Sequence, residues 1–296
     1  MRRPVLFAIA ALVTAGAAIA ATLAWPIGKP VRLEAQTGNP ERGAYLARMA
    51  GCIACHTNTQ EGGAPLAGGL ALKTDFGTFH SPNLTMDPQH GIGDWTLEAF
   101  ACAVRQGVSP EGEPYYPAFP YPFYAQFSDQ DIADLWAAFQ TVPGVAEPSK
   151  PQELGFPFNI RAGLKLWRLA FADLEGFRPD PEKSDAWNRG KFIVNGPGHC
   201  GACHTPRNFA GARQVEMHLH GADKLPDGGK SPPITAQALK EKGWTQSTLK
   251  YALRTGVLPD GDAFGGSMGE VVRDGTSFLT DDDLSAIAAY LMDHED

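Results

Sequence analysis

The sequence predicts a mostly α-helical protein in which two similar units follow one another after an N-terminal apolar helix. Three observations lead to this prediction: no long stretch alternates apolar and polar residues, two amphipathic helices have N-terminal caps, and short motifs recur in both halves. The chain has 296 residues, 43% of them hydrophobic and 20% charged, so it can build a packed core. The net charge of −8 and the lack of a basic stripe argue against a nucleic-acid-binding protein.

The first 30 residues have the composition of a targeting segment. Arg2 and Arg3 precede an uncharged, mostly apolar run over residues 4–25, and this order is typical of an export signal. The run is also long enough to span the core of a bilayer, so a cleaved signal peptide and an uncleaved anchor are both open. We favour the anchor, and we predict a periplasmic protein that is attached to the inner membrane by residues 1–30.

Two capped helices mark the ends of two similar units. Residues 128–131 (Ser-Asp-Gln-Asp) and 280–283 (Thr-Asp-Asp-Asp) both predict capping boxes. Trp95 and Trp244 take equivalent places when the two halves are aligned. Apolar residues follow each cap at helical spacing, namely Ile132, Leu135, Trp136 and Phe139 in the first half and Leu284, Ile287, Ala288 and Leu291 in the second.

This repeat sets the predicted domain boundaries. Residues 1–30 form the signal peptide or anchor, and residues 38–145 form the first unit. A proline-rich linker with a short helix spans residues 146–183, and the second unit spans residues 184–296.

Four of the five cysteines stand in two Cys-X-X-Cys-His strings, which is the attachment signature of c-type haem. In this signature both thiols bind the haem covalently and the following histidine ligates its iron. We therefore predict two covalently bound haem c groups, one in each unit. The predicted attachment residues are Cys52, Cys55, Cys200 and Cys203, and the predicted iron ligands are His56 and His204.

Other roles for these cysteines fit the pattern less well. A thioredoxin-like motif does not need the histidine that both strings carry, and no βαβ pattern surrounds them. Two disulfides remain possible in an exported chain. A zinc site made of all four cysteines would need pairs closer together in the chain. The fifth cysteine, Cys102, lies in a helix-like run, where we expect a small, half-buried residue.

The sixth iron position distinguishes an electron carrier from a catalyst, because a methionine there raises the potential and closes the iron to substrates. Met268 lies among glycines in the second unit and is the predicted sixth ligand of the second haem. Phe119 stands at the equivalent place in the first unit, and phenylalanine cannot ligate iron. The first haem is then five-coordinate, or it takes another ligand. The candidates are Met86, His80, His90, Cys102, Tyr116 and Tyr121.

Three arginines could pair with haem propionates, or they could be surface charges. Arg105 and Arg254 stand at matching places in the two units, and Arg207 follows the second Cys-X-X-Cys-His string.

Several further segments resemble diheme c-type cytochromes of the group that includes the cytochrome subunits of membrane-bound alcohol and gluconate dehydrogenases. The resemblance covers residues 38 to 293, and it implies cytochrome c-like domains that transfer electrons in the periplasm beside a dehydrogenase. Those relatives usually have methionine where Phe119 stands, and the dehydrogenase subunits usually carry three haems. The matching segments are Ser-Pro-Asn-Leu-Thr (81–85), Gly-Ile-Gly-Asp-Trp (91–95), Gly-Val-Ser-Pro (107–110), Tyr-Pro-Ala (116–118), Pro-Tyr (120–121), Cys-His-Thr-Pro-Arg-Asn (203–208) and Gly-Ser-Met-Gly-Glu-Val-Val (266–272).

The predicted function is therefore electron transfer between a dehydrogenase, or a quinol-linked donor, and a terminal acceptor. The expected partners are redox proteins: a dehydrogenase, an oxidase or another cytochrome. The alternative is a redox enzyme whose first haem, without a methionine ligand, acts on a small substrate such as peroxide or a sulfur oxyanion.

Overall fold

The computed structural model describes residues 2–33, 37–226 and 228–294. Residue 1 of the predicted N-terminal segment and residues 227, 295 and 296 of the predicted second unit lie outside the described residues. The prediction of a mostly α-helical protein is confirmed. The elements in chain order are α1 (Arg2–Ala24), α2 (Pro40–Met49), α3 (Cys52–Cys55), β1 (Ala71–Thr74), β2 (Gly77–His80), α4 (Leu97–Gln106), α5 (Tyr121–Tyr124), α6 (Asp129–Phe139), β3 (Glu153–Leu154), α7 (Leu164–Phe171), α8 (Asp185–Asn195), α9 (Gly201–His204), α10 (Ala236–Glu241), α11 (Gln246–Thr255), α12 (Gly266–Asp274) and α13 (Asp281–Leu291).

Helix α1 is the segment predicted to be a signal peptide or an anchor. Most of its described residues are alanine, threonine and glycine, whose small side chains carry little apolar area. Within the residues that the structure describes, no helix combines the length and the apolar character needed to cross a bilayer. The predicted attachment to the inner membrane by residues 1–30 is therefore wrong, whereas the cleaved signal peptide stays a prediction.

The same helix pair occurs twice along the chain. Helix α2 packs against α6 in what we call the first helical group (α2 to α6), and α8 packs against α13 in the second helical group (α8 to α13). A glycine lies at each crossing: a Cβ on Gly43 would stand 1.8 Å from the Asp134 carbonyl oxygen, and one on Gly190 would stand 2.0 Å from that of Ala286. Each crossing is therefore close enough to exclude any side chain. The division into two separate domains stays a prediction.

Alanine at the second crossing should loosen the second helical group. For Gly190→Ala we expect a loss of about 1–3 kcal/mol of unfolding free energy, the usual cost of forcing extra atoms into a packed site. Denaturant titration followed by circular dichroism measures this loss. Gly155→Ala is the matched control, because a Cβ there meets no atom within 4 Å. Equal stability of the two variants would contradict the close crossing.

The caps of the last helix in each group differ from one another. In α6 the Ser128 hydroxyl accepts from the Asp131 amide and the Asp131 carboxylate accepts from the Ser128 amide, so the predicted capping box is present. In α13 the Thr280 hydroxyl accepts from the Asp283 amide at 3.2 Å. The Asp283 carboxylate instead accepts two hydrogen bonds from Arg189, at 2.7 and 2.8 Å. The second predicted box is therefore half formed, because the arginine of α8 binds its carboxylate.

A buried carboxylate joins α2 to α6 in the first helical group. Asp134 accepts hydrogen bonds from the Asn39 amide and the Gln130 side chain, both at 2.7 Å, and from the Arg42 guanidinium. Burial alone would raise the pKa of Asp134, but the hydrogen bonds and the Arg42 charge outweigh burial and lower it.

Acid should therefore weaken this helix pair. Asp134 has a lower pKa in the folded protein than in the unfolded chain, where aspartate titrates near ~3.9. Its contribution to stability is thus complete above that pH and is lost as the pH falls below it. Asp134→Asn should lower the free energy of unfolding at pH 7. The free energy of unfolding of this variant should also fall less steeply between pH 7 and pH 3, as measured by denaturant titration at each pH. Asp282→Asn, at an exposed site of α13, is the control, and a fall as steep in Asp134→Asn as in the natural protein would contradict this role.

A small antiparallel sheet holds the linker against the first helical group. Strands β1 and β2 form a hairpin in which Ala71 pairs with His80, and β3 from the linker pairs Leu154 with Gly77. Nearby, the Phe76 and Phe158 rings pack edge to face with centroids 4.8 Å apart. These strands are too short to show the alternation of apolar and polar residues that predicts a strand.

Polar contacts also join the two helical groups. The Tyr45 hydroxyl on α2 donates to the Asp283 carboxylate on α13 at 2.6 Å and accepts from the Thr280 amide at 3.1 Å. The Gln126 side chain donates to the Asn195 carbonyl at 2.9 Å. In the linker, the Trp167 indole donates to a carbonyl of the second group at 2.9 Å. The two groups therefore contact each other through several elements.

Candidate functional site

The first Cys-X-X-Cys-His string forms the short helix α3 and the residue after it. Gly51 precedes this helix in the left-handed conformation at φ 70°. The His56 imidazole donates from Nδ1 to the Pro82 carbonyl at 2.8 Å. Because Nδ1 carries the proton, the Nε2 lone pair is free for a metal. Burial lowers the pKa of His56 and so favours the neutral imidazole, which is the form that ligates metals.

The second string has the same arrangement around α9. His204 donates from Nδ1 to the Pro232 carbonyl, also at 2.8 Å, and burial lowers its pKa too. Each histidine thus has its ring orientation set by the carbonyl of a proline far along the chain. Motif spacing alone does not predict these partners, although both prolines follow the serine of a repeated Ser-Pro segment.

Within the described residues, no disulfide joins any two of the five cysteines. Burial raises the pKa of Cys52 and of Cys200 to about 12, so both thiols are neutral at pH 7. A dithiol that exchanges disulfides needs a thiolate, and its pKa is therefore lowered rather than raised. In the described parts of the chain, no three histidine, cysteine or acidic residues cluster in a way that would hold a metal ion. The raised pKa values of Cys52 and Cys200 argue against the thioredoxin-like alternative.

The loop after each string repeats an unusual backbone conformation. Leu66 and Leu219 have φ of 62° and 60°, which is rare for a residue with a side chain. Each leucine amide donates at 3.1 Å to the hydroxyl of the threonine that follows the string, Thr57 or Thr205. The sequence carries no signal for this feature, because glycine is the residue expected at positive φ.

The residues around both strings fit a haem. In each string two thiols and an imidazole whose Nε2 is not protonated follow one another within five residues. This donor set suits an apolar macrocycle that is bound by two thiols and whose iron is held by a histidine. Apolar residues at equivalent places in the two groups are packed on the core yet only partly buried, and they are the side chains that would cover the macrocycle: Leu84 and Trp95 in the first group and Ile234 and Trp244 in the second.

The residue at the predicted sixth-ligand position differs between the groups. The Tyr115 amide donates to the Gly107 carbonyl, and the Phe264 amide donates to the Gly256 carbonyl, both at 2.8 Å. Phe119 follows Tyr115 at the same interval as Met268 follows Phe264, so backbone and sequence agree on this match. Met268 is partly buried near the start of α12.

An aromatic cluster surrounds Phe119. Its ring centroid lies 5.9 Å from that of Tyr115, 6.4 Å from that of Tyr121 and 5.6 Å from that of Tyr124. A phenylalanine that packs on three tyrosines supplies apolar area and no lone pair for a metal. The local environment of the first site is thus aromatic where the second has a thioether.

Some of the alternative ligands predicted for the first iron have partners elsewhere. The His80 ring faces the Glu153 carboxylate at 3.3 Å within the small sheet, and the Tyr116 hydroxyl donates to the Phe158 carbonyl at 2.8 Å. Tyr121 is fully buried, with its ring against Gly107. The other three candidates, Met86, His90 and Cys102, are partly buried in the first helical group.

Two of the three arginines considered as propionate partners or surface charges bind acidic residues. Arg105 pairs with Asp129 at 2.7 Å, and Arg254 pairs with Asp281 at 2.9 Å, so each fixes the first turn of the last helix in its group. Arg207 donates to the carbonyl of Ala202 at 3.0 Å, inside the second string.

Arg213 and His199 were missed by the sequence analysis. The Arg213 guanidinium lies 4.1 Å from the centroid of the Phe123 ring. Burial and the neighbouring Arg207 charge lower the pKa of Arg213 to about 10. His199 directly precedes the second string and is described further below. No motif marks either residue, since their positions depend on contacts between the two helical groups.

Two Cys-X-X-Cys-His groups with oriented imidazoles, in a mostly helical fold, define a c-type cytochrome. Residues 40–139 match the family model described as Cytochrome c. Over 98% of its length the chain is 40% identical to a protein of Cereibacter sphaeroides named diheme cytochrome c-type, of which it also covers 98%. The chain therefore belongs to the diheme c-type cytochrome family, and haem c is the cofactor of that family.

The chain is also similar to cytochrome subunits of dehydrogenases. It is 41% identical, over 85% of its length, to the gluconate 2-dehydrogenase cytochrome c subunit of Pantoea cypripedii. It is 40% identical, over 89% of its length, to the fructose dehydrogenase cytochrome subunit of Gluconobacter japonicus. It covers 58% and 54% of these two relatives, so it spans little more than half their length. Together with the diheme relative, these similarities show that the chain is an electron-transfer cytochrome.

Proposed function

We propose that this protein is a periplasmic diheme cytochrome that passes single electrons from a dehydrogenase, or a quinol-linked donor, to a terminal acceptor. One haem c binds in each helical group. Cys52 and Cys55 hold the first, and Cys200 and Cys203 hold the second. The observation that carries this proposal is the matched pair of imidazoles, each donating from Nδ1 to a proline carbonyl at 2.8 Å.

A bound haem supplies an iron that alternates between the ferrous and ferric states by gaining and losing one electron. His56 and His204 offer Nε2 to the iron, and their hydrogen bonds to proline carbonyls prevent the rings from rotating. The partly buried apolar walls exclude water and so favour the less charged state of the site. With haem bound, the thioether of Met268 would be the sixth ligand of the second iron, and it would raise the potential of that iron and close it to other ligands.

The proposed domains follow the predicted boundaries. Residues 38–145 and 184–296 each form a cytochrome c-like domain, and residues 146–183 link them. The repeated helix crossing, the repeated positive φ of a leucine and the repeated arginine–aspartate pair support this division.

The proposed electron donor is a dehydrogenase. Support comes from two relatives of the chain, which are the cytochrome subunits of a gluconate 2-dehydrogenase and a fructose dehydrogenase. The acceptor is a second redox protein, an oxidase or another cytochrome.

Haem content tests the proposal directly. The protein is expressed in a host with the cytochrome c maturation system, and the haem-to-protein ratio is measured by pyridine haemochrome absorbance and by mass spectrometry. We expect two covalent haems per chain, and reversible reduction of both in a redox titration. A colourless product, or a mass without added porphyrin, would overturn the proposal.

A second candidate function rests on Phe119. If the first iron lacks a sixth ligand, the first site can bind a small molecule, and the protein is then a redox enzyme acting on peroxide or a sulfur oxyanion. Absorption spectra distinguish the two functions. A high-spin band in the oxidised protein that shifts with cyanide, together with carbon monoxide binding after reduction, favours the enzyme. Two low-spin haems that bind neither cyanide nor carbon monoxide favour the electron carrier.

A further inference from the structure

His199 lies where the two Cys-X-X-Cys-His strings come together. It directly precedes Cys200, and its Nε2 stands 3.5 Å from the place that a Cβ on Gly51 would occupy. Gly51 in turn directly precedes Cys52. The imidazole also faces the carbonyl of Ala50. One side chain of the second helical group therefore contacts the backbone that leads into the first string.

Two aromatic rings of the first helical group pack against this imidazole, which is partly buried. The ring centroids of Phe123 and Tyr124 each lie 6.1 Å from that of His199, at angles of 62° and 65°. The Tyr124 hydroxyl donates to the Ala50 carbonyl at 2.5 Å, so the backbone that His199 touches is itself held in place. His199, Tyr124 and the backbone of Ala50 and Gly51 therefore pack together between the residue before Cys200 and the residue before Cys52.

The backbone of His199 is strained. Its φ is 36°, whereas Gly51, which takes the equivalent place before the first string, has a φ of 70° at no steric cost. A histidine in this region costs free energy that glycine would avoid, and such residues persist where their surroundings hold them. The positive φ and the packing against two aromatic rings together favour a role for the His199 side chain itself.

We propose that His199 is the contact through which electrons pass between the two haem sites. This inference rests on the proposed function, since it requires one haem at each string. With both haems bound, one electron would pass from the ferrous iron of one site, which becomes ferric, to the ferric iron of the other site, which becomes ferrous; no bond would break and no proton would move. The His199 imidazole supplies the packed contact between Gly51 and the residue next to Cys200.

Three variants of the full-length holoprotein test this role. His199→Phe keeps a ring of similar size. His199→Asn removes the ring but tolerates a positive φ. His199→Gly also removes the ring and relieves the strain, which provides a second ring-free variant if the asparagine variant does not fold. For each variant we measure the haem content, both midpoint potentials, and the rate at which an electron equilibrates between the haems after photoreduction by an attached ruthenium complex.

We expect the ring-free variants to slow this equilibration at least several-fold while both potentials and the haem content stay unchanged. A merely structural residue would alter the haem content or the potentials instead. His199→Phe should keep a rate close to that of the natural protein. An unchanged rate in a folded ring-free variant, or a phenylalanine variant as slow as that variant, would overturn the proposal. A natural protein with fewer than two haems would instead overturn the proposed function.

Discussion

Replacing Cys200 and Cys203 together by alanine should remove one of the two haems and unfold most of the second helical group. The walls of this site include Ile234 and Trp244, which are only partly buried by the chain itself. Without a covalently held macrocycle these side chains face water, and the apolar area that the haem would cover is lost. We expect the second group to lose about 5 kcal/mol or more of unfolding free energy, at the upper end of mutational effects. Pyridine haemochrome absorbance per chain should fall by half, and calorimetry should show an early transition.

Cys102→Ala is the matched control for this experiment. Cys102 is also a free, partly buried cysteine, but it lies in helix α4 outside both strings. The control should keep both haems and lose only about 1 kcal/mol, the centre of the distribution for single substitutions. If the double variant kept two covalent haems, the assignment of the second string would be wrong.

Met268→Ala should lower the potential of the second haem and open its iron to added ligands. A thioether ligand stabilises the ferrous state, and its removal favours the ferric state. We expect a fall on the order of 0.1 V, a fraction of the roughly 0.8 V range over which axial ligands set haem potentials. Spectroelectrochemical titration measures the fall, and carbon monoxide binding to the reduced protein reports the open position.

Met217→Ala controls for the loss of a methionine from the same helical group, because Met217 is 42% exposed. It should leave both potentials unchanged. The reverse change at the first site, Phe119→Met, should raise the potential of the first haem and abolish any response to cyanide. An unaltered spectrum and potential in Met268→Ala would show that another residue ligates the second iron.

The sequence predicts the features of this protein that depend on residues close together in the chain. The Cys-X-X-Cys-His strings, the Ser128 capping box and the amphipathic helices α6 and α13 all follow from local spacing. The match between Phe119 and Met268 follows from the repeat, and the backbone hydrogen bonds of Tyr115 and Phe264 support it.

Features that depend on distant contacts were not predictable. The proline carbonyls that orient the two histidines lie more than twenty residues away, and the positive φ of Leu66 and Leu219 contradicts their usual preferences. Asp283 has the sequence of a capping-box residue, yet Arg189 and Tyr45 bind its carboxylate. The membrane anchor was predicted from the length of an uncharged run, and that signal proved insufficient.

The linker of this protein, residues 146–183, packs against both helical groups. Its strand β3 extends the β1–β2 hairpin of the first group, and Trp167 donates to the Ala210 carbonyl of the second group at 2.9 Å. A flexible linker would let the two halves move independently, and each electron transfer between the two haem sites would then require a productive collision. Because the linker holds the halves in contact, this internal electron transfer needs no large-scale motion. Raising the solvent viscosity with glycerol or sucrose should therefore slow electron transfer to outside partners and leave the rate of internal electron transfer unchanged.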